Sequence, residues 1–449
     1  MSVTDTSAGD FRAKSGLLSP NLVPVKIPFE GSWLEILLVA VWFFATAADF
    51  PGMGPVRYLC LALFMASLVW NREFLRPYFG HLWFLFLFPA WVGFSVLWSP
   101  NSSAALKFGI MHALDVMMMI YIAIRLSPHQ IIKALFYAYI PVSLIVIAHL
   151  PQLGPYNTPI GFTEKNLVAN RMFFMFVACL YMIFAERANW LEKGAALFFM
   201  PLTFLALFKV ESATSLVMAI LAFGVMTIIG TFWRAVAKIQ AASYVLMVAL
   251  LAMMIGGVIV AMSIFTQGPV NAFLDAVGKD ATLTGRTELW DYGAQLIRDN
   301  PVMGIGAEGF WQLGRGDAES WLEYFHKAAG TRFSFHNSYI ETAVHLGLVG
   351  AAFLLIGEAF VVYRLFANWF RKQDLAMSFF LILGVLALAR SFTESDLYNV
   401  FEMNKIILFV GGLSAMSFRH VLAPSKAIRQ NEQGGFEVAE DQMTPLPAR

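Results

Sequence analysis

Long apolar runs, separated by short polar breaks, cover most of this chain. A helix that crosses a bilayer needs about 20 mostly apolar residues. The runs between charged or Pro/Gly-rich breaks predict twelve membrane-spanning helices, of which the second and sixth are short. The predicted spans are 33–49, 57–70, 81–98, 105–124, 130–149, 171–185, 191–208, 213–231, 242–266, 337–362, 376–391 and 404–419.

One polar and aromatic stretch interrupts this pattern. Residues 267–335 form a loop of roughly 70 residues, which is too long for a simple connection and therefore indicates a functional segment. The chain divides into an N-terminal segment 1–31, nine spans within 32–266, the loop, and three spans within 336–423. The tail 424–449 is polar and poor in bulky residues, which predicts disorder. The N-terminal segment lacks the basic-then-apolar layout of a cleavable signal, so we expect the first span to be an uncleaved anchor.

Composition supports a membrane protein. Hydrophobic residues make up 58% of the chain and charged residues only 14%, whereas soluble domains carry about a quarter charged residues. The mean hydropathy of +0.65 agrees. A net charge of +1 excludes nucleic-acid binding through bulk charge. Cys60 and Cys179 both lie in apolar runs, so neither a disulfide framework nor a zinc site is expected.

The distribution of Lys and Arg predicts the orientation. With a cytoplasmic N-terminus, eleven of these residues fall in inside loops and seven in the short outside loops. Both chain ends are then cytoplasmic, and the long loop faces the opposite side. The predicted fold class is an all-α polytopic membrane protein of about twelve spans, with one large periplasmic loop that contains short amphipathic helices.

Several cations on the predicted outer side break the positive-inside rule. Many of them lie at helix ends, and such a cluster favours an anionic ligand, for which a lipid diphosphate is the natural candidate. The alternative for each residue is snorkelling to lipid headgroups. The outer cations are Lys165, Arg171, Lys209 and Arg390 at span ends, and Arg286, Arg315, Lys327 and Arg332 in the long loop.

The most informative local pattern in the loop begins at Thr284-Gly285-Arg286. Leu289 and the apolar positions behind it follow helical spacing up to Asn300-Pro301, which predicts an amphipathic helix with Arg286 in its first turn. Free N–H groups at a helix N-terminus together with a guanidinium make a phosphate cradle. The alternative is an interfacial helix with an exposed arginine.

A second pattern opens the tenth span. Ser338 and Glu341 fit a capping box, which places His336 just ahead of the helix at the outer water boundary. A histidine there can accept a proton from a hydroxyl group near neutral pH. His345, deeper in the same helix, is expected to be a packed core histidine, and His326 in the loop is a weaker candidate base.

Other polar and aromatic groups have two interpretations each. The loop aromatic residues suit sugar stacking, but membrane-boundary belts use the same residues and are favoured for most of them. The loop acids Asp317, Glu319 and Glu323 suggest a glycosidase, although a solvated loop is the simpler interpretation. In the fourth span, His112 and Asp115 lie one turn apart and predict either a proton relay or a bond across helices.

At these residues the chain resembles the O-antigen ligase and polysaccharide polymerase superfamily of bacterial inner-membrane glycosyl transferases. The resemblance covers most of the chain, and its specificity lies in the order and placement of short motifs. The matching pieces are Gly161-Phe162 with Lys165-Asn166, Gly285-Arg286 leading to Trp290, Asn300-Pro301 with Gly304-Ile305-Gly306, and His336-Asn337-Ser338-Tyr339 with Glu341.

The resemblance implies an enzyme that transfers a glycan from undecaprenyl diphosphate to an acceptor sugar, with inversion and with no metal or other cofactor. It implies that Arg286 binds the diphosphate and that His336 activates the acceptor hydroxyl. The expected partners are the lipid-linked glycan, the acceptor glycan and the bilayer, with a flippase and a chain-length regulator as potential further partners. Candidate contacts to the diphosphate or glycan are Lys165, Arg171, Lys209, Arg332, Arg390 and Asn337.

One departure from the family pattern favours a branch. Ligases of this family carry a Ser-Arg pair at the start of the eighth span, whereas this chain has Lys209-Val210-Glu211-Ser212-Ala213-Thr214-Ser215. A Ser-x-Thr-Ser element resembles the exopolysaccharide polymerases, and Lys209, Arg171 or Arg390 would then supply the second phosphate contact. Arg390 with Glu394 and Asp396 also resembles a pattern of that branch.

Three functions follow in order of preference. The first is polymerisation of lipid-linked oligosaccharide repeats into exopolysaccharide or O-antigen at the periplasmic face of the inner membrane. The second is a ligase that moves finished glycan onto lipid A core. The third is a twelve-span transporter, which would place its polar groups near the membrane midplane in two related halves. The absence of a convincing internal repeat favours the enzyme.

Overall fold

The computed structural model describes residues 22–28, 30–154, 157–236, 285–331, 333–372 and 374–414, together with isolated positions between 245 and 256, residue 416 and short segments between 418 and 445. The described helices are α1 Trp33–Ala47, α2 Met53–Trp70, α3 Arg72–His81, α4 Leu87–Phe94, α5 Ser102–Arg125, α6 Pro128–Ala148, α7 Lys165–Phe184, α8 Trp190–Lys209, α9 Ala213–Val236, α10 Arg286–Asp299, α11 Gly316–Tyr324, α12 Ser338–Lys372, α13 Leu375–Ser391 and α14 Met403–Leu413. Short 3₁₀ segments, Trp83–Phe86 and Ser95–Leu97, flank α4.

Many of these helices are long and apolar enough to cross a membrane. Seven of the described helices meet that requirement, or eight if one bent pair counts as a single span. Three shorter apolar helices, α1, α13 and α14, complete the bundle. The prediction of a helical polytopic membrane protein is therefore confirmed. The count of twelve stays a prediction, and the ninth predicted span, 242–266, falls almost wholly outside the described residues.

The third predicted span, 81–98, coincides with a helical piece, Trp83–Leu97, that follows a sharp bend after α3. Between Arg72 and Leu97 the chain forms α3 and then a second helical piece, bent by 81° from it. This second piece packs closely on α5, because a Cβ atom at Gly109 would lie 2.5 Å from the Cα atom of Gly93. The piece is not regular α-helix throughout, because α4 lies between two short 3₁₀ turns.

Helix α12 is also broken, at Gly347. This glycine has φ 66° and ψ −174°, a left-handed conformation that glycine adopts without steric cost. A Cβ atom there would lie 2.1 Å from the carbonyl oxygen of Val302. The tight contact shows that the turn after α10, part of the predicted periplasmic loop, packs directly into the break.

The break exposes backbone groups that the turn and a side chain of α4 then satisfy. A backbone carbonyl in an apolar surrounding needs a hydrogen-bond donor, and irregular backbone at membrane depth is tolerated only where protein supplies one. Three carbonyl groups of α12 accept such bonds across the break: Val344 O from Ile305 N at 2.9 Å, His345 O from Gly306 N at 2.7 Å, and Leu346 O from Trp91 Nε1 at 2.9 Å.

The described part of the predicted loop has a hydrophobic core of its own. Phe310 and Trp311 meet edge to face with ring centroids 4.7 Å apart, and Trp311 lies 5.1 Å from the ring of Phe335. Leu289 and Leu296 of α10 are buried in the same core. The prediction of a membrane-boundary belt is therefore wrong for most of these rings, because they pack against one another and against the start of α12.

Short strands lie near the two chain ends. They are β1 Leu22–Pro28, β2 Phe418–Pro424, β3 Ile428–Gln430, β4 Phe436–Val438 and β5 Thr444–Pro445. Strand β2 pairs antiparallel with both β1 and β5, and β3 pairs with β4. These paired segments of the tail differ from the predicted disorder, because their backbone groups are hydrogen-bonded between strands.

Candidate active site

The candidate site begins at the N-terminus of α10. Gly285 has φ 76°, and a Cβ atom there would lie 2.7 Å from the ring of Tyr324. Only glycine fits this left-handed, crowded position. It turns the chain so that Arg286 is the first residue of α10, as the sequence predicts. The helix then buries Leu289, Gly293 and Leu296 on one face.

The Arg286 guanidinium reaches the segment between α13 and α14. Its Nη1 donates to the carbonyl oxygen of Thr393 at 2.7 Å, and its Nη2 lies 3.4 Å from Glu394 Oε1. Its side chain is 19% exposed. The predicted phosphate cradle is therefore a cation already held in place by two protein acceptors, and three of its five N–H donors have no bond to the described residues.

His336 lies in the turn that precedes α12. Its φ of 50° is unusual for a residue other than glycine and marks a sharp turn. The oxygen of the next side chain, Asn337 Oδ1, accepts from the backbone N–H groups of Tyr339 and Ile340 at 3.0 and 3.1 Å. Asn337 therefore caps α12. It also donates to the carbonyl oxygen of Phe392 at 3.1 Å, which ties this turn to the end of α13.

The predicted capping box of Ser338 and Glu341 is wrong. Ser338 Oγ accepts from Leu397 N at 3.1 Å and donates to the carbonyl oxygen of Glu394 at 2.8 Å. It is thus used for tertiary contact rather than for capping. Both residue types can cap a helix, but the approach of the α13–α14 segment engages Ser338 and leaves the cap to Asn337.

Glu394 joins the two candidate catalytic residues. Its Oε2 lies 3.1 Å from His336 Nδ1, and its Oε1 faces Arg286. Burial alone would raise the pKa of Glu394, but the hydrogen bond from His336 and the charges of Arg390 and Arg286 lower it to about 2. The carboxylate is therefore ionised at neutral pH and accepts the Nδ1–H of His336. The ring atom Nε2 is then left as the basic nitrogen.

Glu341 lies behind this group and binds the segments on both sides of it. It is 2% exposed. Its Oε2 accepts from Phe335 N at 2.5 Å and from Ser395 Oγ at 3.2 Å. Its Oε1 accepts from Trp311 Nε1 at 3.2 Å and lies 3.2 Å from His345 Nε2. One buried carboxylate therefore fixes the chain positions next to His336 and next to Glu394.

Arg390 and Arg171 enter a network beside this group. Arg390 Nε lies 3.0 Å from Asp396 Oδ2, which also accepts from Asn404 Nδ2 at 2.8 Å. Burial and the nearby carboxylates of Glu402 and Glu394 raise the pKa of Asp396. Arg171 is 2% exposed and donates to the Ala47 carbonyl oxygen at 2.7 Å and to Asn170 Oδ1 at 2.6 Å.

The remaining predicted contacts belong to other parts of the chain. Lys209 ends α8 and is exposed, and Lys165 is the first residue of α7. Arg332 lies outside the described residues. The structure brings four of the predicted site residues together. Arg286 and His336 both contact Glu394, Asn337 binds the end of α13, and Arg390 lies beside Glu394.

Two functional groups were not among the predicted site residues. Glu394 follows a helix end in a polar run with Arg390 and Asp396, and intramembrane or boundary charges of this kind are the available signal. Glu341 was predicted to take part in a capping box, and its buried contacts to other segments were not predicted. The glycosidase alternative finds no support, because Asp317 is held by Arg315 at 2.8 Å. Within the described ranges, no group of three or more His, Cys, Asp or Glu side chains is placed to hold a metal ion.

Comparison with known proteins gives a consistent picture. The family model for O-antigen ligase matches residues 195–355. The chain is 29% identical over 392 residues to the exopolysaccharide production protein ExoQ of Rhizobium meliloti (strain 1021), a match that covers 83% of this chain and 85% of the relative. It is also 21% identical over 152 residues to an uncharacterized protein of Haemophilus influenzae, covering 32% of this chain and 37% of that protein. With its apolar helices, the chain is a multi-pass membrane protein, and it is similar to the O-antigen ligase family over residues 195–355 and to an exopolysaccharide production protein over most of its length.

Proposed function

We propose that this protein polymerises oligosaccharide repeats carried on undecaprenyl diphosphate into exopolysaccharide, at the periplasmic face of the bacterial inner membrane. The extended similarity to an exopolysaccharide production protein supports the product class. The lack of a Ser-Arg pair before α9 supports a polymerase over a ligase. The donor, the membrane side and the accessory flippase and chain-length regulator are parts of this proposal.

In the proposed reaction, His336 is the general base. Glu394 accepts the Nδ1–H of the imidazole, so Nε2 takes the proton of the acceptor hydroxyl. The hydroxyl oxygen forms a bond to the anomeric carbon of the donor sugar from the face opposite the phosphate. The bond between that carbon and the phosphate oxygen breaks, and undecaprenyl diphosphate leaves with the electron pair. The configuration at the anomeric carbon is inverted.

Arg286 and Arg390 stabilise the leaving diphosphate in this scheme. The negative charge that develops on the leaving oxygen needs fixed positive charge or N–H donors nearby. Arg286 has N–H groups left over from its bonds to Thr393 and Glu394. Arg390 lies close enough to Glu394 to lower the pKa of that carboxyl and is 17% exposed. Arg171 is engaged by Ala47, Asn170 and Glu402, and it serves the bundle rather than the ligand.

The single observation that carries the proposal is the position of Glu394. One carboxylate contacts the imidazole of His336 and the guanidinium of Arg286, residues that are 50 positions apart in the chain. A base with an orienting acid and an adjacent cation are the groups that a displacement at an anomeric carbon requires.

The test is the lipid-linked glycan profile of a strain deleted for this gene. Complementation with wild type should restore long chains, whereas the deletion should accumulate single repeats on undecaprenyl diphosphate. Long chains stranded on that lipid in the deletion would instead establish a ligase, the candidate that the O-antigen ligase family match favours. An unchanged profile would contradict both glycosyl transfer reactions and favour the transporter.

Complementation with site variants tests the residues. His336→Ala and Arg286→Ala should abolish polymer while the protein still inserts in the membrane. The matched controls are His326→Ala and Arg298→Ala, exposed residues of the same types in the same region, and both should retain wild-type polymer. Wild-type polymer from His336→Ala or Arg286→Ala would contradict the site assignment.

A further inference from the structure

A buried charge pair lies inside the helix bundle, away from the candidate active site. Asp115, near the middle of α5, is 0% exposed, and its Oδ2 lies 2.6 Å from Lys405 Nζ of α14. The same oxygen accepts from Phe401 N at 3.2 Å, and Lys405 Nζ donates to the carbonyl oxygen of Asn399 at 2.5 Å. Of the two interpretations open from the sequence, the structure has the bond across helices.

His112 lies one turn before Asp115 on α5 and is 2% exposed. The rings of Phe88 and Phe108 meet it edge to face, with centroids 5.1 and 4.5 Å away, and fix its orientation. One ring nitrogen binds the backbone of Tyr398. Because Nε2 has no partner in the described part of the chain, that bond uses Nδ1–H and leaves Nε2 as an acceptor.

A second acceptor is unpaired close by. Asp115 Oδ1 is buried and has no hydrogen-bond partner among the described residues. His112 and Asp115 are three positions apart, so their side chains are neighbours on one helix face. Both line a cavity of about 30 Å³, which is large enough to hold an ordered water molecule. Lys405, Gly357 and Leu397 also line it.

We propose that this cavity binds one water molecule, which donates one hydrogen to Asp115 Oδ1 and the other to His112 Nε2. Both atoms are acceptors, so an anion or a second acceptor does not fit. Water in such a place removes the cost of leaving two acceptors unpaired in an apolar interior.

This water site supports the segment that carries Glu394. His112, Asp115 and Lys405 bind the backbone of three residues between 398 and 401, directly after Glu394 and Asp396. The water completes the hydrogen bonding of the side chains that hold this segment. The inference does not depend on the proposed reaction, because it concerns only the packing of α5, α12 and α14.

The experiment fills the cavity with one methyl group. A Cβ atom at Gly357 would lie 3.5 Å from the Leu85 side chain, an ordinary contact. With water bound, Gly357→Ala displaces it and leaves two buried acceptors unpaired. The melting temperature of the purified full-length protein in detergent should then fall by several degrees. With no water bound, alanine fills unused space and favours the helix, so the melting temperature should rise.

Gly224→Ala is the matched control. It lies inside α9, and no heavy atom comes within 4 Å of its added Cβ, so the melting temperature should hold or rise slightly. If Gly357→Ala behaves like Gly224→Ala, the proposal is overturned. A second measurement is a density map of the wild-type protein that resolves ordered water. A peak within hydrogen-bond distance of both acceptors supports the site, and a cavity without one overturns it.

Discussion

Two histidine–glutamate pairs lie at the start of α12, and they differ in exposure rather than in geometry. His336 and Glu394 are 3.1 Å apart and 16% and 14% exposed. His345 and Glu341 are 3.2 Å apart and only 2% and 3% exposed. The distance and the residue types are therefore nearly the same in both pairs. The two pairs differ in whether a ligand could reach them, and we use this difference to separate the proposed reactive pair from the proposed supporting pair.

The surroundings of the two pairs fit the different roles proposed for them. The outer pair has a guanidinium, that of Arg286, next to its carboxylate. The inner pair is enclosed, since His345 stacks on Tyr398 at 5.2 Å and its Nδ1 lies 3.1 Å from the carbonyl oxygen of Gly306. An enclosed imidazole cannot meet an acceptor hydroxyl. The inner carboxylate instead positions the outer pair through backbone and side-chain bonds.

Replacing the outer carboxylate should give the largest effect. Glu394→Gln removes the charge that orients the Nδ1–H of His336 and holds Arg286. General-base catalysis contributes a factor of about 10²–10⁴, so polymer output should fall by about a hundredfold or more. The measurement is polymer per amount of membrane-inserted protein in the deletion strain. Output within a factor of about two of wild type would place the base elsewhere.

The inner carboxylate should tolerate the same replacement better. In Glu341→Gln, the remaining oxygen can still accept from Phe335 N and Ser395 Oγ. The amide can donate to His345 Nε2 while His345 Nδ1–H still donates to the Gly306 carbonyl oxygen. Trp311 loses its acceptor.

Glu341→Ala loses all of these bonds. Small misplacements of reacting groups cost up to about a hundredfold, so Glu341→Ala should lower turnover by that order, with the KM for the lipid-linked donor little changed.

Two results would contradict this positioning role. Equal losses from Glu341→Gln and Glu341→Ala would show that the charge itself matters, and a raised KM without a change in turnover would show a ligand contact. The structural alternative is tested by the amount of folded protein in the membrane. A variant with normal amounts and low turnover supports positioning, whereas a loss of folded protein alone indicates a packing role.

The sequence predicts His336 as a site residue, whereas Glu394 enters only as part of a motif with Arg390 and Asp396, and there is a physical reason for this difference. His336 precedes a clear apolar helix, and Arg286 begins an amphipathic one, so local periodicity is sufficient to find both. Glu394 comes from the segment between α13 and α14, 58 positions after His336. A contact over that distance depends on how helices pack, which a period of 3.6 residues does not encode.

The same limit explains the errors in the fold. Aromatic residues in the loop are compatible with a belt or with a core, and only the tertiary arrangement shows that Phe310, Trp311 and Phe335 pack together. A single glycine within an apolar run, as at Gly347, is compatible with a straight span. The break there depends on a turn near Val302, more than 40 positions earlier, whose backbone supplies hydrogen bonds that the helix gives up.

The smallest predicted effect is on stability as pH changes, and it also separates the pairs. The pKa of Glu394 falls from an ordinary value of 4.5 to about 2 in the folded protein, because its bond to His336 and the charges of Arg390 and Arg286 outweigh its burial. A carboxyl group with a lowered pKa stabilises the fold above its unfolded pKa, and this contribution disappears as pH falls from about 4.5 towards 2. It is worth at most about 3 kcal/mol.

Thermal unfolding of wild type and Glu394→Gln in detergent measures this contribution. The melting temperature of wild type should exceed that of Glu394→Gln at pH values above about 4.5, and the difference should shrink as the pH approaches about 2. Arg286→Ala removes one of the charges that lower the pKa of Glu394, so in that background the difference should shrink at a higher pH. A difference between wild type and Glu394→Gln that stays constant across this range would show that the carboxylate owes nothing to its cationic neighbours. The charges of Arg286 and Arg390 would then not be coupled to Glu394, and the arrangement proposed for the outer pair would be contradicted.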